Sequence, residues 1–400
     1  MPTPLTSQES KVCGLIARRA GTLLDDLRLH VGIPTGGGFP EGIAQTQDRF
    51  GTRLRALGST TDMLPGDERP AWLHGGQAGG MIPMTMVSRR PQAGRKRILI
   101  AGHLDTVHDP AGAFRNLTLA ADANTAVGPG CVDMKGGLVI AVAALEALEE
   151  AGVPASWSFL MNADEETGSY HSARALRAEA GRHDIGLAIE PALPGGALAT
   201  VRSGSGQFMI QTRGRNAHVG RDFTAGVSAV TALAERLVTI STFPEPARGI
   251  VANVGPLEGG NATNVVPDRA RAWGNVRFPD PGAAGALEQR FLGLGTAADA
   301  MPGCLVYTSF NRPAKPLIAA TQRLAMLARG AAESLGQSLP FVSTGGVCDG
   351  NILQDAGLPT IDTLGVRGGG LHTLQEWIEL PSLVERCQLL ALVVMRVGQA

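Results

Sequence analysis

The side chains most able to do chemistry in this chain are acids and histidines that directly follow strand-like runs. Three consecutive acids, residues 164–166, come after the run 158–161. Because burying adjacent carboxylates costs several kcal/mol unless cations compensate, a positive group is expected beside them. Three solvated acids in an ordinary loop would have the same sequence. A second cluster, His103 and Asp105 after an apolar run, favours the cation site.

Five imidazole and carboxylate side chains form a candidate ligand set that contains no thiolate. The set is His103, Asp133, Glu166, Glu190 and His372. Such donors suit catalytic zinc and also cobalt or manganese. Because a catalytic zinc usually takes about three protein ligands, five ligands with one shared carboxylate predict two metals about 3.5–4 Å apart. Asp133, in a glycine-rich turn just before an apolar helix, is the expected bridge.

Two further acids beside these ligands are expected to have other roles. Asp105 follows His103 by two residues, so its carboxylate can accept the second imidazole N–H and fix the tautomer. Glu165 precedes the ligand Glu166, and neighbouring side chains on an extended segment diverge. Glu165 is therefore predicted to be the general base that takes a proton from water.

Alternating strands and helices are predicted to position these groups. The pattern indicates strands at 81–87, 98–101, 156–162, 185–190 and 359–362, and helices over 8–29, 45–57, 138–148, 168–180, 317–335 and 381–397. Such alternation predicts an α/β fold with a largely parallel sheet covered on both faces. Ligands of these sheets bind beyond the carboxyl ends of strands, which is where most of the candidate side chains lie.

The alternation changes between residues 200 and 311. This segment reads as strands 206–213, 250–256 and 269–278 with helices 224–240 and 282–293. It predicts an inserted α+β domain, 200–311, whose hinges lie near 198–204 and 309–313. The first domain would then consist of residues 1–199 and 312–400. A chain of 400 residues is long enough for at least two domains.

Composition excludes several classes of protein and partner. The net charge is -1 and charged residues make up 18% of the chain, which argues against a nucleic-acid partner and favours a small ligand. The cations within 89–97 are more typical of a solvated turn. Five scattered cysteines without a C-x-x-C pair argue against disulfides and thiolate zinc, and predict a cytoplasmic protein. No apolar run is long enough to predict a membrane partner.

Taken together, five short blocks resemble the clan MH di-zinc exopeptidase and deacylase family. That family includes glutamate carboxypeptidases, acetylornithine deacetylase, succinyl-diaminopimelate desuccinylase and aminoacylases. The blocks keep the family's order over nearly the whole chain, at 102–107, 130–137, 164–169, 189–191 and 369–373. The resemblance implies a zinc-exopeptidase-like mixed sheet and the five ligands named above. It also implies Asp133 as the bridge, Glu165 as the base and Asp105 as the residue that orients the His103 imidazole.

The resemblance also assigns roles in the inserted segment. It implies a ferredoxin-like lid and dimerisation domain, whose His218 enters the partner subunit's active site and stabilises the oxyanion. It further implies that Asn264 and Arg277 hold the substrate, and an Arg suits a carboxylate through two parallel hydrogen bonds. Gly345 is a third candidate for substrate binding, and its loop 344–346, together with 189–191, resembles the glutamate-carboxypeptidase branch. Without the resemblance, a lone histidine and a strand-end arginine would be read as structural.

These expectations favour a homodimeric metal-dependent hydrolase that cleaves an amide bond next to a free carboxylate, in N-acyl amino acids or short peptides. The alternative is an N-acyl-amino-acid deacylase of the acetylornithine deacetylase or aminoacylase type, which would use the same metal core. A different class is a non-catalytic metal-binding protein that dimerises through the lid. Its mark would be the loss of a ligand or of the base, and neither is lost here.

Overall fold

A computed structural model of the protein describes residues 3–74, 81–121 and 123–399. The helices are α1 Ser7–Arg18, α2 Ala20–Val31, α3 Pro40–Ala56, α4 Gly136–Glu150, α5 Ala173–Ala180, α6 Ala229–Ile240, α7 Pro281–Leu292, α8 Ala319–Ser334, α9 Asp349–Asp355 and α10 Pro381–Gln399. The strands are β1 Thr60–Leu64, β2 Thr85–Arg90, β3 Arg97–His103, β4 Thr118–Leu119, β5 Thr125–Val127, β6 Ser156–Asn162, β7 Ile185–Ala188, β8 Leu198–Arg202, β9 Gly204–Arg213, β10 Val251–Gly259, β11 Arg269–Phe278, β12 Gly303–Arg312, β13 Phe341–Thr344, β14 Thr360–Ile361, β15 Gly368–Gly369 and β16 Trp377–Glu379.

The main sheet has six strands in the order β1-β2-β6-β3-β7-β14. Strands β6, β3, β7 and β14 are parallel, whereas β1 and β2 pair antiparallel, so the sheet is mixed. Successive residues of β3 point to opposite faces: Ile98 and Ile100 pack with the helices α1, α2, α4 and α10, and Leu99 and Ala101 pack with α5 and α9. The predicted mixed α/β fold with helices on both faces of the sheet is therefore observed.

Residues 204–312, called the second unit here, form a separate antiparallel sheet in the order β10-β11-β9-β12. Helices α6 and α7 cover one face of it, around a core that includes Phe208, Phe278 and Phe291. Strand β12 was not predicted, although all its residues except Arg312 lie in the expected insertion 200–311. The opposite face of this sheet carries no helix of the second unit.

Several element boundaries differ from the predicted ones for local reasons. The helical pattern over 8–29 is interrupted at Arg19, which ends α1 and precedes α2. Helix α6 starts at Ala229 because the Ser228 side chain accepts a hydrogen bond from the Thr231 N–H at 3.1 Å and caps it. Helix α5 starts late because the Asp164 carboxylate holds the preceding turn. Strand β2 lies four residues beyond the predicted start at 81.

The chain enters and leaves the second unit at adjacent points. Arg202 and Lys315 form an antiparallel bridge with N···O distances of 3.0 and 2.9 Å. Their side chains converge on the buried Asp362 carboxylate, at 2.8 Å from Arg202 and 3.1 Å from Lys315. The two chain segments that connect the units, called the crossings here, are thus bound to each other and to Asp362, which directly follows β14 of the main sheet. Both lie close to the predicted hinge segments.

None of the helices in the described ranges combines the length and the apolar composition needed to cross a lipid bilayer.

Candidate metal centre

The carboxyl ends of three neighbouring parallel strands converge at one edge of the main sheet. His103 is the last residue of β3, the acids 164–166 follow β6, and Glu190 follows β7 by two residues. Two loops reach the same place from outside the sheet. Asp133 lies in the turn before α4, and His372 lies between β15 and β16. The sheet topology therefore explains why residues so far apart in the chain meet.

The five candidate ligands form two groups that share Asp133. The ligand atoms of His103, Asp133 and Glu190 all lie within 4.8 Å of one another, and so do those of Asp133, Glu166 and His372. Asp133 Oδ1 is 3.2 Å from His103 Nε2, and Asp133 Oδ2 is 3.6 Å from His372 Nε2. One carboxylate thus presents an oxygen to each group, as a bridging ligand would.

The electrostatics of this cluster fit divalent cations. Burial raises the pKa of Glu190 well above its usual range and that of Glu166 to about 7. Contacts with Asp133 and Glu166 raise the pKa of His372 to about 10. Buried carboxylates that resist ionisation beside a histidine that favours its proton indicate a pocket with a deficit of positive charge. Imidazole and carboxylate donors in this arrangement suit zinc-like ions.

Asp105 differs in detail from the expectation. His103 Nδ1 lies 2.9 Å from the backbone oxygen of Asp105 but 3.5 Å from its carboxylate. The carboxylate instead accepts hydrogen bonds from the backbone N–H groups of Glu165 at 3.2 Å and Glu166 at 3.0 Å. Asp105 therefore orients the imidazole mainly through its main chain, while its side chain fixes the turn that carries the two glutamates.

Arg312 contacts the candidate base and was missed by the sequence reasoning. Its Nη1 lies 2.7 Å from Glu165 Oε1, and its Nη2 donates to the Glu165 carbonyl at 2.8 Å and to Ser169 Oγ at 2.7 Å. The guanidinium is almost fully buried. Arg312 is the last residue of β12, so the second unit directly holds the turn that carries the candidate base. A single arginine at a domain boundary carries no pattern that could have revealed this.

Glu376 is a second missed residue, and it supports the turn that carries Asp133. Its buried carboxylate accepts from the backbone N–H groups of Gly130 at 2.8 Å, Val132 at 2.9 Å and Asp133 at 3.0 Å. It also pairs with His108 Nε2 at 2.6 Å. Because Glu376 lies four residues after the candidate ligand His372, it joins the two loops that bring candidate ligands from outside the sheet.

The residues expected to bind substrate lie apart from the two ligand groups. His218 and Asn264 are exposed on adjacent segments of the second unit, where the Val219 N–H donates to the Asn264 carbonyl at 3.0 Å. Gly345 is exposed after β13. Within the described ranges, no hydrogen bond or ion pair joins His218, Asn264 or Gly345 to the candidate ligands.

Arg277 is half-buried on β11 of the second unit. Its Nη1 donates to Asn275 Oδ1 at 2.6 Å and to the Ser205 hydroxyl. No carboxylate of the described residues forms an ion pair with it. Burial, together with the neighbouring Arg312, lowers the pKa of Arg277 from its usual value. The guanidinium is therefore a cation whose charge is not neutralised within the described chain.

Comparison with known proteins gives the same assignment as the site. Residues 99–396 match Peptidase family M20/M25/M40. Carboxypeptidase G2 of Pseudomonas sp. (strain RS-16) is 26% identical over 387 residues, which is 94% of this chain and 89% of the relative. A succinyl-diaminopimelate desuccinylase of Methylobacterium radiotolerans is 30% identical over 305 residues, covering 72% of this chain and 77% of the relative.

Solved structures share the fold. A tripeptidase of Staphylococcus aureus aligns with a TM-score of 0.76 at 22% identity, over 95% of this chain and 99% of that one. A dipeptidase of Saccharomyces cerevisiae aligns with a TM-score of 0.72 at 15% identity, over 99% and 100% of the two chains. The resemblance of the five sequence blocks is thereby confirmed. The chain belongs to Peptidase family M20/M25/M40 and is a metal-dependent hydrolase of that family.

Proposed function

We propose that the protein is a di-zinc hydrolase that cleaves the amide bond next to a free carboxylate in N-acyl amino acids or short peptides, as a glutamate carboxypeptidase does. The observation that carries this proposal is the pair of ligand groups that share Asp133. When bound, two such cations polarise the scissile carbonyl and lower the pKa of a water molecule. Cobalt or manganese would suit the same donors.

In this proposal the five ligands divide between the two ions. His103 and Glu190 would hold one ion, Glu166 and His372 would hold the other, and Asp133 would be shared between them. The distances from each Asp133 oxygen to its nearest imidazole support this division. Buried charges of this kind are stabilised in proteins by pairing or by metal ions.

Glu165 acts as the general base. Its Oε1 is held by Arg312, and its Oε2 makes no hydrogen bond with any residue that the structure describes. That second oxygen takes a proton from the attacking water and returns it to the nitrogen of the leaving amine. Arg312 and Asp105 fix the orientation of the base by holding both its carboxylate and its backbone.

Arg277 binds the carboxylate of the substrate. Its half-buried guanidinium lacks an anionic partner among the described residues, and a substrate carboxylate would offset that electrostatic cost. Asn264 and Gly345 would line the same site. The second candidate function, an N-acyl-amino-acid deacylase, is supported by the 30% identity to the desuccinylase and would require the same metal core.

The second unit serves as lid and dimerisation domain, with domain limits of 200–311 against 1–199 and 312–400. Its edge strand β10 exposes Val251 and Leu257, at 43% and 62%, and α6 exposes Val238 at 69%. An unpaired edge with exposed apolar side chains is suited to pairing with a second copy. His218, exposed on the same unit, would then reach the oxyanion in the partner's site.

A substrate screen together with metal analysis tests this proposal. Purified protein is supplied with zinc or cobalt and assayed against acyl-glutamate, acyl-aspartate, acyl-ornithine and dipeptides, while bound metal is counted per chain. We expect about two metals per chain and hydrolysis of acyl-glutamate or a dipeptide. Activity on acetyl-ornithine alone would support the deacylase instead. Less than about one metal per chain with no hydrolysis would contradict both.

A further inference from the structure

The sheet of the second unit has one face that its own helices do not cover. On β9 and β11 the even-numbered residues, such as Phe208 and Ala272, pack in the core beneath α6 and α7. Because side chains alternate along a strand, the odd-numbered residues point to the other face. This set is called the open face here, and it includes the carboxylate-binding candidate Arg277.

Strand register arranges the open face, together with the residues of β12 that pair with it, in rows, and three of them lie nearest the main unit. The rows, in order away from the crossing into the main sheet, are Arg277–Ser205–Arg312, Asn275–Gln207–Ser309 and Trp273–Met209–Tyr307. The first row is cationic, the second carries amides and a hydroxyl, and the third is largely aromatic. The middle row is therefore a polar strip between Arg277 and an aromatic surface.

The open face is directed at the catalytic turn of the main unit. Arg312 holds Glu165, and Asn311 Nδ2 donates to the Gly168 carbonyl. Burial raises the pKa of Tyr170, which lies on the same turn of the main unit, and the nearby Ser309 side chain opposes that rise. The middle row thus begins beside the loop that carries the candidate base.

The aromatic row is already covered. Trp273 Nε1 donates to the Trp72 carbonyl at 2.6 Å, and the rings of Trp72 and Tyr307 lie 6.0 Å apart. Trp72, which makes both contacts, lies in the segment between β1 and β2. The row that remains for a ligand beside Arg277 is the middle one.

Two amides of the middle row have unused hydrogen-bonding capacity. Gln207 is half-buried, and its side chain makes no hydrogen bond with any described residue. Asn275 Oδ1 accepts a hydrogen bond from Arg277 Nη1 at 2.6 Å, which leaves the Asn275 Nδ2 group as a donor. Half-buried amides normally find partners, so this strip is suited to a polar ligand group rather than an apolar one.

We propose that Gln207, together with the Asn275 amide N–H, binds the side chain of the substrate residue whose carboxylate meets Arg277. This inference rests on the proposed function. Adjacent rows are about 6.5–7 Å apart, two residues along a strand. A glutamyl or glutaminyl residue carries a second carbonyl oxygen at the end of a side chain long enough to reach the next row. The subsite therefore selects side chains that end in a carboxyl or carboxamide group.

The test measures selectivity within one enzyme rather than total activity. The kcat/KM values of N-acyl-glutamate and N-acyl-glutamine are each divided by that of N-acyl-methionine, which has a side chain of similar length without the oxygen. In Q207L both ratios are expected to fall about tenfold, because the substrate side chain loses one hydrogen bond to the enzyme. The wild-type ratios show whether carboxyl or carboxamide is preferred.

Gln211 provides a matched control. It lies on the same strand and the same open face, paired with Arg271 and Leu305 two rows beyond Gln207. Q211L is expected to leave both ratios as in the wild type. A misfolded fraction lowers all three kcat/KM values together and leaves the ratios unaffected. If Q207L cannot be purified, Q207E serves, and its added charge is expected to reduce the glutamate-to-glutamine ratio.

Three results would overturn the subsite. They are unchanged ratios in Q207L, an equal loss in Q211L, or an unchanged glutamate-to-glutamine ratio in Q207E. Wild-type protein that holds metal but cleaves none of the three substrates would instead contradict the proposed function, so the two failures are distinguishable.

Discussion

The strand ends of the main sheet and the open face of the second sheet hold their polar groups in opposite ways. At the strand ends, most charged groups contact two or more others: Asp133 lies between two histidines, and Arg312 makes four hydrogen bonds to one turn. On the open face, Arg277 and Gln207 are half-buried: among the described residues Arg277 has no anionic partner, and the Gln207 side chain makes no hydrogen bond.

This difference indicates a division of labour. Groups fixed by several mutual contacts keep the geometry that bond cleavage needs, because little reorganisation remains when the reaction starts. Groups with unused donors and acceptors discriminate between ligands, because their interactions are completed only by the right one. Substitutions in the first region should therefore lower turnover, and substitutions in the second should change selectivity or affinity.

The largest expected effect concerns the candidate general base at the strand ends of the main sheet. Glu165→Gln removes the proton acceptor but keeps the shape of the side chain, so kcat is expected to fall by about 10²–10⁴-fold. Metal content should stay at the wild-type level, because Glu165 is outside both ligand groups. The measurements are kcat and metal per chain. Near-normal turnover would remove Glu165 as the base.

His218 can show whether the second unit also contributes to turnover. His218→Ala is expected to lower kcat by about 10²–10³-fold through the loss of one oxyanion donor. If the residue acts in the partner's site, co-expression of His218→Ala with Glu165→Gln chains should recover activity, since each mixed dimer contains one site with both residues. Co-expressed chains that form dimers but stay as inactive as the two variants would exclude action across the dimer.

Arg277 sharpens the contrast, because its loss should affect affinity more than turnover. Arg277→Met is expected to lower kcat/KM by about tenfold to a hundredfold, mostly through KM, as charged hydrogen bonds to the substrate carboxylate are lost. Arg271→Met is the matched control on the same strand and face, where Arg271 pairs with Glu258 at 2.8 Å. Equal effects of the two substitutions would contradict a specific carboxylate contact.

The smallest expected effect concerns the support of the ligands. Glu376→Gln keeps one acceptor oxygen for the turn around Asp133 but loses the charge that three N–H groups share, so metal affinity should weaken about tenfold. Metal affinity is measured by calorimetry on the metal-free protein. Glu379→Gln, near the surface on the same strand as Trp377, should leave it unchanged. An unaltered metal affinity in Glu376→Gln would show that metal binding does not depend on the Glu376 carboxylate.

The sequence was informative where function requires a side chain at the end of a predicted strand. His103, Glu166 and Glu190 follow apolar strands whose parallel order could be anticipated, and the structure does bring them together with His372. Arg312 and Glu376 could not be found in this way, because each is a single charged residue whose hydrogen-bond partners in the site lie more than 140 positions away. Long-range pairing of that kind leaves no local pattern.

Local boundaries were the weaker part of the fold prediction. Strand β12 was missed because its run of mixed polar and apolar residues is stabilised mainly by pairing with β9. The delayed start of α5 depends on the Asp164 carboxylate, which holds the turn through the His171 and Ser172 N–H groups. The cytoplasmic location, the homodimer and the identity of the metals stay predictions.

The bridge between Arg202 and Lys315 has a consequence for how this architecture can be altered. Because the two crossings are neighbours, the chain could be rejoined there by a short turn with little loop-closure entropy. The whole block between them is thus removable or exchangeable without interrupting any strand of the principal sheet. Grafting that block from a related enzyme would exchange the open face together with Arg312, the residue that holds Glu165, while the strands that carry the candidate ligands stay in place.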